Sequence, residues 1–139
     1  MRRTLSGILM LAAIISAGCD NTVENATPPT TPVPTVTETF TGNVNINGGS
    51  THTFTATAAG SVTATLFGVT PVNTVTVGFS IGTWNALSGS CQSVIAKDDS
   101  VQGTVLTGNA SAAGMLCARI YDVGKLTETI GYTITVTRP

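Results

Sequence analysis

The sequence predicts an all-β fold, a two-sheet antiparallel sandwich of about eight strands with a jelly-roll-like arrangement, placed after a signal peptide and a Thr/Pro-rich tether. Three observations carry this expectation. Apolar and polar residues alternate with a period of two in one segment after another, and no stretch has the 3.6-residue period of an amphipathic helix. The early segments are separated by the short linkers Asn47-Gly48-Gly49-Ser50 and Ala59-Gly60, which can only join antiparallel neighbours. Of 139 residues 9% are charged and 5% aromatic, with 15 glycines. Such a chain, rich in Thr, Val and Gly, suits pleated surfaces and tight turns.

At the N-terminus, Arg2-Arg3 precedes an apolar run over residues 5–15 and then Ser16-Ala17-Gly18-Cys19. A bilayer-spanning helix needs roughly 20 apolar residues, so this shorter run reads as the h-region of a signal peptide, residues 1–18. The segment Ile15-Ser16-Ala17-Gly18-Cys19 resembles the lipobox of bacterial lipoproteins. That resemblance implies cleavage before Cys19, acylation of its sulfur and new amine, and attachment to a membrane. It departs from the family pattern at Ser16, where an aliphatic residue is expected; Ile15 lies one position further back. The alternative is an ordinary secretory signal cut near Ala17 or Gly18, with Cys19 left as a free thiol. Removing Arg2 and Arg3 leaves four basic residues against seven acidic ones, a formal charge of 4 − 7 = −3. No basic patch remains for a nucleic-acid partner.

Residues 19–37 then form a linker. Pro28, Pro29, Pro32 and Pro34 stand among threonines, and prolines at this density favour extended polyproline II at about 3.1 Å per residue, enough to lift a domain by roughly 50 Å. The domain itself is assigned to residues 38–139. Its strand candidates are 36–44, 51–58, 61–67, 75–81, 91–97, 103–106, 115–121 and 132–136. By parity the inward residues are Phe54 and Ala56; Val62, Ala64 and Leu66; Val75, Val77, Phe79 and Ile81; Leu116, Ala118 and Ile120; Tyr132, Ile134 and Val136.

Cysteine parity adds a covalent expectation. Three cysteines, Cys19, Cys91 and Cys117, are an odd number for an exported chain. Lipidation of Cys19 leaves a pair, and an oxidising compartment favours a Cys91–Cys117 disulfide. Cys117 shares outward parity with Arg119, which puts the bond on or near a sheet surface. Two unrelated buried thiols are the alternative.

The segments Thr51-His52-Thr53-Phe54-Thr55-Ala56, Ala59-Gly60-Ser61-Val62-Thr63-Ala64-Thr65-Leu66, Ala113-Gly114-Met115-Leu116-Cys117-Ala118-Arg119-Ile120-Tyr121 and Gly131-Tyr132-Thr133-Ile134-Thr135-Val136 resemble bacterial pre-peptidase C-terminal (PPC-type) domains, β-sandwich modules of exported proteins. The resemblance implies fold and export. It carries over no catalytic residue, and no peptidase accompanies the domain here.

Chemistry-bearing residues are few. His52 is the only histidine; a Ser-His-Asp triad would have to use it, yet its parity is inward, as for a rim histidine. A zinc site would need further histidines or a Cys-x-x-Cys pair, and no cofactor is implied. Asp98, Asp99 and Asp122 offer oxygen ligands to calcium if their loops meet, although loop aspartates more often make turns. Trp84 and Tyr121 have outward parity and could stack on sugar rings, although a lone tryptophan at a strand end more often caps the core. The expectation is a membrane-anchored, non-catalytic lipoprotein of the cell envelope with a structural or interaction role. The partner is an envelope protein or a glycan, and a carbohydrate-binding module is the alternative.

Overall fold

A computed structural model of the protein describes residues 31–139. The signal peptide, Cys19 and most of the linker lie outside the described residues. Eight strands follow one another: β1 Val36–Val44, β2 Gly49–Ala56, β3 Gly60–Thr70, β4 Val77–Asn85, β5 Ser90–Ser100, β6 Val105–Ala110, β7 Gly114–Tyr121 and β8 Ile130–Arg138. They form two four-stranded antiparallel sheets, ordered β1-β8-β3-β6 and β2-β7-β4-β5. First pairs with last, second with seventh, third with sixth and fourth with fifth, so the short linkers after β1 and β2 cross from one sheet to the other and do not join paired neighbours as their length implied. This nested pairing of a chain folded back on itself is that of a jelly roll.

The inner faces are those the alternation marks. Phe54, Ala56, Val62, Ala64, Leu66, Val77, Phe79, Ile81, Ala118, Ile120, Tyr132, Ile134 and Val136 are all buried in one core, with Val75 and Leu116 partly buried against it. Each large apolar side chain fully removed from water contributes about 1.5–3 kcal/mol. At one end of this core, Arg138 of β8 donates to Glu38 of the edge strand β1 at 2.9 Å. An inward-pointing charge on an edge strand discourages further pairing there.

Several boundaries differ from the sequence expectation, each for a local reason. The sandwich starts at Val36 rather than at residue 38, because Val36 and Thr37 pair with Arg138 and Thr137. β3 continues to Thr70 through a bulge between Leu66 and Gly68, which shifts the inward parity from Leu66 to Val69 and leaves Phe67 on the outer face at 66% exposure. β4 runs on to Asn85, so Trp84 is a strand residue. β6 occupies 105–110 instead of 103–106: Gly103 has φ 90° and turns the chain, while Gly108 is accommodated inside the strand because Ile95 and Ile81 fill the space its side chain would take.

Cys91 and Cys117 form a disulfide with Cα atoms 5.8 Å apart. The bond joins β5 to β7, which are not neighbours, since β4 runs between them. Two strands separated by a third are normally about 9–10 Å apart, so β5 has to approach from outside the sheet. It does so at Gly82. This residue pairs with Cys117 on one side and Ser93 on the other, with a register shift beside it. A side chain at Gly82 would collide with the backbone carbonyl of Gln92. The start of β5 therefore folds onto the outer face of β4 where that face has no side chain. Cys117 has outward parity and is fully buried beneath β5, while Cys91 is only partly buried, so the bond lies near the sheet surface with one sulfur covered.

At the β1–β8–β2 end, His52 sits between aromatic rings. Its ring stacks on Phe40 at a centroid distance of 4.7 Å and 18° between planes, and meets Tyr132 edge-on at 5.8 Å. Its Nε2 shares a 2.7 Å hydrogen bond with the Tyr132 hydroxyl. Burial lowers the imidazole pKa below its ordinary 6.5, since partial desolvation disfavours the charged form.

Three predictions follow from these contacts. Reducing the disulfide, which spans 26 residues, should lower unfolding free energy by about 3–4 kcal/mol, read from denaturant midpoints with and without reductant. Gly82→Ala should cost at least the about 1–3 kcal/mol typical of overpacking, whereas Gly114→Ala, which meets nothing within 4 Å, should be close to neutral in the same measurement. For His52 the folded pKa lies below the unfolded one, so the stability it contributes is complete above pH 6.5 and is lost as pH falls from there through the folded value. The melting temperature should decline over that window in the native chain, and His52→Gln should flatten the decline; an unchanged slope would rule out His52 as its source.

Candidate functional site

The outer face of the β2-β7-β4-β5 sheet carries the side chains with the most chemistry. Alternation along β4 puts Gly78, Ser80, Gly82 and Trp84 on this face. Along β7 it puts Cys117, Arg119 and Tyr121 there, with Gly78 opposite Tyr121, Ser80 opposite Arg119 and Gly82 opposite Cys117. Glycine at 78 is required by close approach: the ring of Tyr121 occupies the space a side chain there would need. Lying across β4, the tyrosine reaches β5 and its hydroxyl donates to Asp98. That hydrogen bond, followed by burial and the Asp98 charge, raises the phenol pKa above its ordinary 10.0. The Arg119 guanidinium lies over the same ring, 4.9 Å from its centroid, a cation–π arrangement. Asp98, Tyr121 and Arg119 thus form a connected line across three strands.

Beside that line is an open groove of about 330 Å³ lined by Thr51, Trp84, Gly89, Ser90, Cys91 and Arg119. Thr51 is directly opposite Arg119 in the β2–β7 pair. Gly89 and Ser90 belong to the β4–β5 hairpin, which is ordered by Asn85: its side-chain carbonyl accepts from the backbone N–H of Leu87 at 3.0 Å and of Ser88 at 3.2 Å. Gly89 takes the left-handed conformation that closes this turn. The disulfide holds Cys91, and with it this rim, against β7. Trp84 is half-buried, so it presents part of its ring to the groove.

The sequence singled out Trp84 and Tyr121, and the structure puts both on one face of one sheet. They do not act alike. Tyr121 is engaged by Gly78, Arg119 and Asp98, whereas Trp84 borders open space. Arg119 was not singled out; its position two residues before Tyr121 on the same face was the signal available. The aspartates do not converge. Asp98 accepts from Tyr121. Asp122 accepts from the backbone N–H groups of Asn47, Gly124, Lys125 and Leu126 at 2.8–3.1 Å, a turn-forming role, and these bonds, led by Asn47, hold its pKa below the ordinary 3.8. Among the described residues no three His, Cys, Asp or Glu side chains are grouped to hold a metal ion.

A second space, an apolar cleft of about 400 Å³, opens near the β6–β7 turn and is lined by side chains including Phe54, Val62, Ile81, Ile95 and Leu116. No charged group lines it, so the groove beside Arg119 is the better candidate for recognition of a polar ligand. No family model and no curated protein matches the sequence.

Proposed function

We propose that this chain is a lipid-anchored, non-catalytic lipoprotein of the bacterial cell envelope, in which Cys19 carries the lipid, residues 20–35 space the domain from the membrane, and a PPC-like sandwich serves a structural or interaction role. The observation that carries this reading is the pairing of Cys91 with Cys117. A disulfide across the sheet suits an oxidising compartment, and it leaves Cys19, at the end of the apolar run, as the remaining cysteine of the three. The several acyl chains of a lipoprotein cysteine exceed the single chain that binds a membrane only marginally. The non-catalytic element is supported by His52: the imidazole a nucleophile would need as its base is stacked on Phe40 and bonded to Tyr132.

A second reading, carbohydrate binding, is favoured by one observation, the half-buried indole of Trp84 bordering a groove with hydroxyl-bearing walls. Apolar sugar faces stack on such rings while their hydroxyls find hydrogen-bond partners.

The anchoring is tested by Cys19→Ser. The variant should escape lipoprotein processing and move from the detergent phase to the aqueous phase on partitioning. A variant that matures at residue 19 and stays equally membrane-bound would refute the anchor.

A further inference from the structure

We infer that the groove between Trp84 and Arg119 recognises an acidic saccharide, a sugar bearing a carboxylate such as a uronate, with Trp84 under the ring and Arg119 on the carboxylate. This rests on the carbohydrate reading of the same groove and names the class of sugar. Arg119 is exposed and forms no salt bridge among the described residues, so its guanidinium remains available for a bidentate pair with a planar anion. It is also positioned. Tyr121 holds it by cation–π contact, and Tyr121 is itself fixed by the hydrogen bond to Asp98 and by lying on Gly78. An arginine already held in place loses less side-chain entropy on binding than a free one.

The remaining lining fits a sugar rather than an isolated anion. Thr51 and Ser90 contribute hydroxyls that can both donate and accept. Trp84 contributes an apolar face of the size of a pyranose ring, and Gly89 leaves the rim without a side chain. The disulfide beneath Cys91 ties the hairpin side of the groove to the β7 side, so the two halves of the site are held together covalently. The nearest carboxylate of that line, Asp98, is occupied by Tyr121.

Trp84 is the only tryptophan of the chain, so tryptophan emission, excited selectively over Tyr121 and Tyr132, reports on this groove. The full chain is titrated with trigalacturonate and with maltotriose as a neutral control, and the titrations are repeated with Arg119→Gln and Arg119→Lys. Trigalacturonate should perturb Trp84 emission saturably. Affinity should fall about tenfold or more in Arg119→Gln, fall less in Arg119→Lys, and weaken with added salt. Arg119 is exposed, so the variants should melt with the native chain. Equal binding of both sugars, insensitive to Arg119→Gln, would overturn the acidic specificity while leaving the carbohydrate reading intact. No response of Trp84 to either sugar would overturn both.

Discussion

The sandwich depends on where its last two strands go. β8 enters between β1 and β3, and β7 enters between β2 and β4, so two of the three pairings in each sheet wait for the C-terminal part of the chain. Thr37 of the first strand and Thr137 of the last are 100 residues apart in sequence and share a 2.9 Å hydrogen bond. Contacts of such separation must overcome loop-closure entropy before burial offsets it. Only β4–β5 is a local hairpin with an ordered turn, and the nested pairs are completed outward from it.

The site is a consequence of two missing side chains on β4. Gly78 lets Tyr121 lie flat across the strand to Asp98, and Gly82 lets β5 fold over the strand so that Cys91 reaches Cys117. A side chain at either position would collide, with the Tyr121 ring at 78 and with the Gln92 backbone at 82. Between them Ser80, fully buried, bonds to Ser93 at 2.9 Å, keeping β5 against the face it covers. Arg119 and Trp84 owe their surroundings to this overlap: one is held by a tyrosine that Gly78 admits, the other borders a hairpin that the disulfide retains.

Alternation made most of the fold legible, since a residue's parity decides its face once a sheet is half-buried. Phe54, Ala56, Val62, Ala64, Leu66 and the β8 residues Tyr132, Ile134 and Val136 are inward as their spacing implies. Parity fails where pairing is irregular. Past the bulge in β3 it is Val69 that turns inward, out of step with Val62, Ala64 and Leu66, and Cys117 points outward as its parity implies yet is covered by a strand from two positions away. The span of β6 was obscured by Gly108, whose place in a strand depends on Ile81 and Ile95 from the opposite sheet. The pairing of the cysteines followed from counting. The line from Asp98 through Tyr121 to Arg119 crosses three strands, and no local pattern encodes which rows face each other.

The two outer faces differ in kind, and that difference bears on which one meets a partner. On the β1-β8-β3-β6 sheet, Thr37, Thr137, Thr63 and Thr107 form one row across all four strands and Thr39, Thr135 and Thr65 another. Threonine there satisfies strand propensity and solvation together, and these rows hold no charge to orient a ligand; Phe67 and Val105 are the exposed apolar exceptions. On the opposite face Thr51 and Thr53 of β2 stand beside Arg119 and Cys117 of β7, and Tyr121 and Trp84 complete a face with more varied chemistry. A strand face that only needs solvation has no use for two glycines, a buried serine bonded to its neighbour strand and a covalent cross-link. Their concentration on one sheet makes that sheet the rigid platform, and Arg119 with Trp84 the groups it presents.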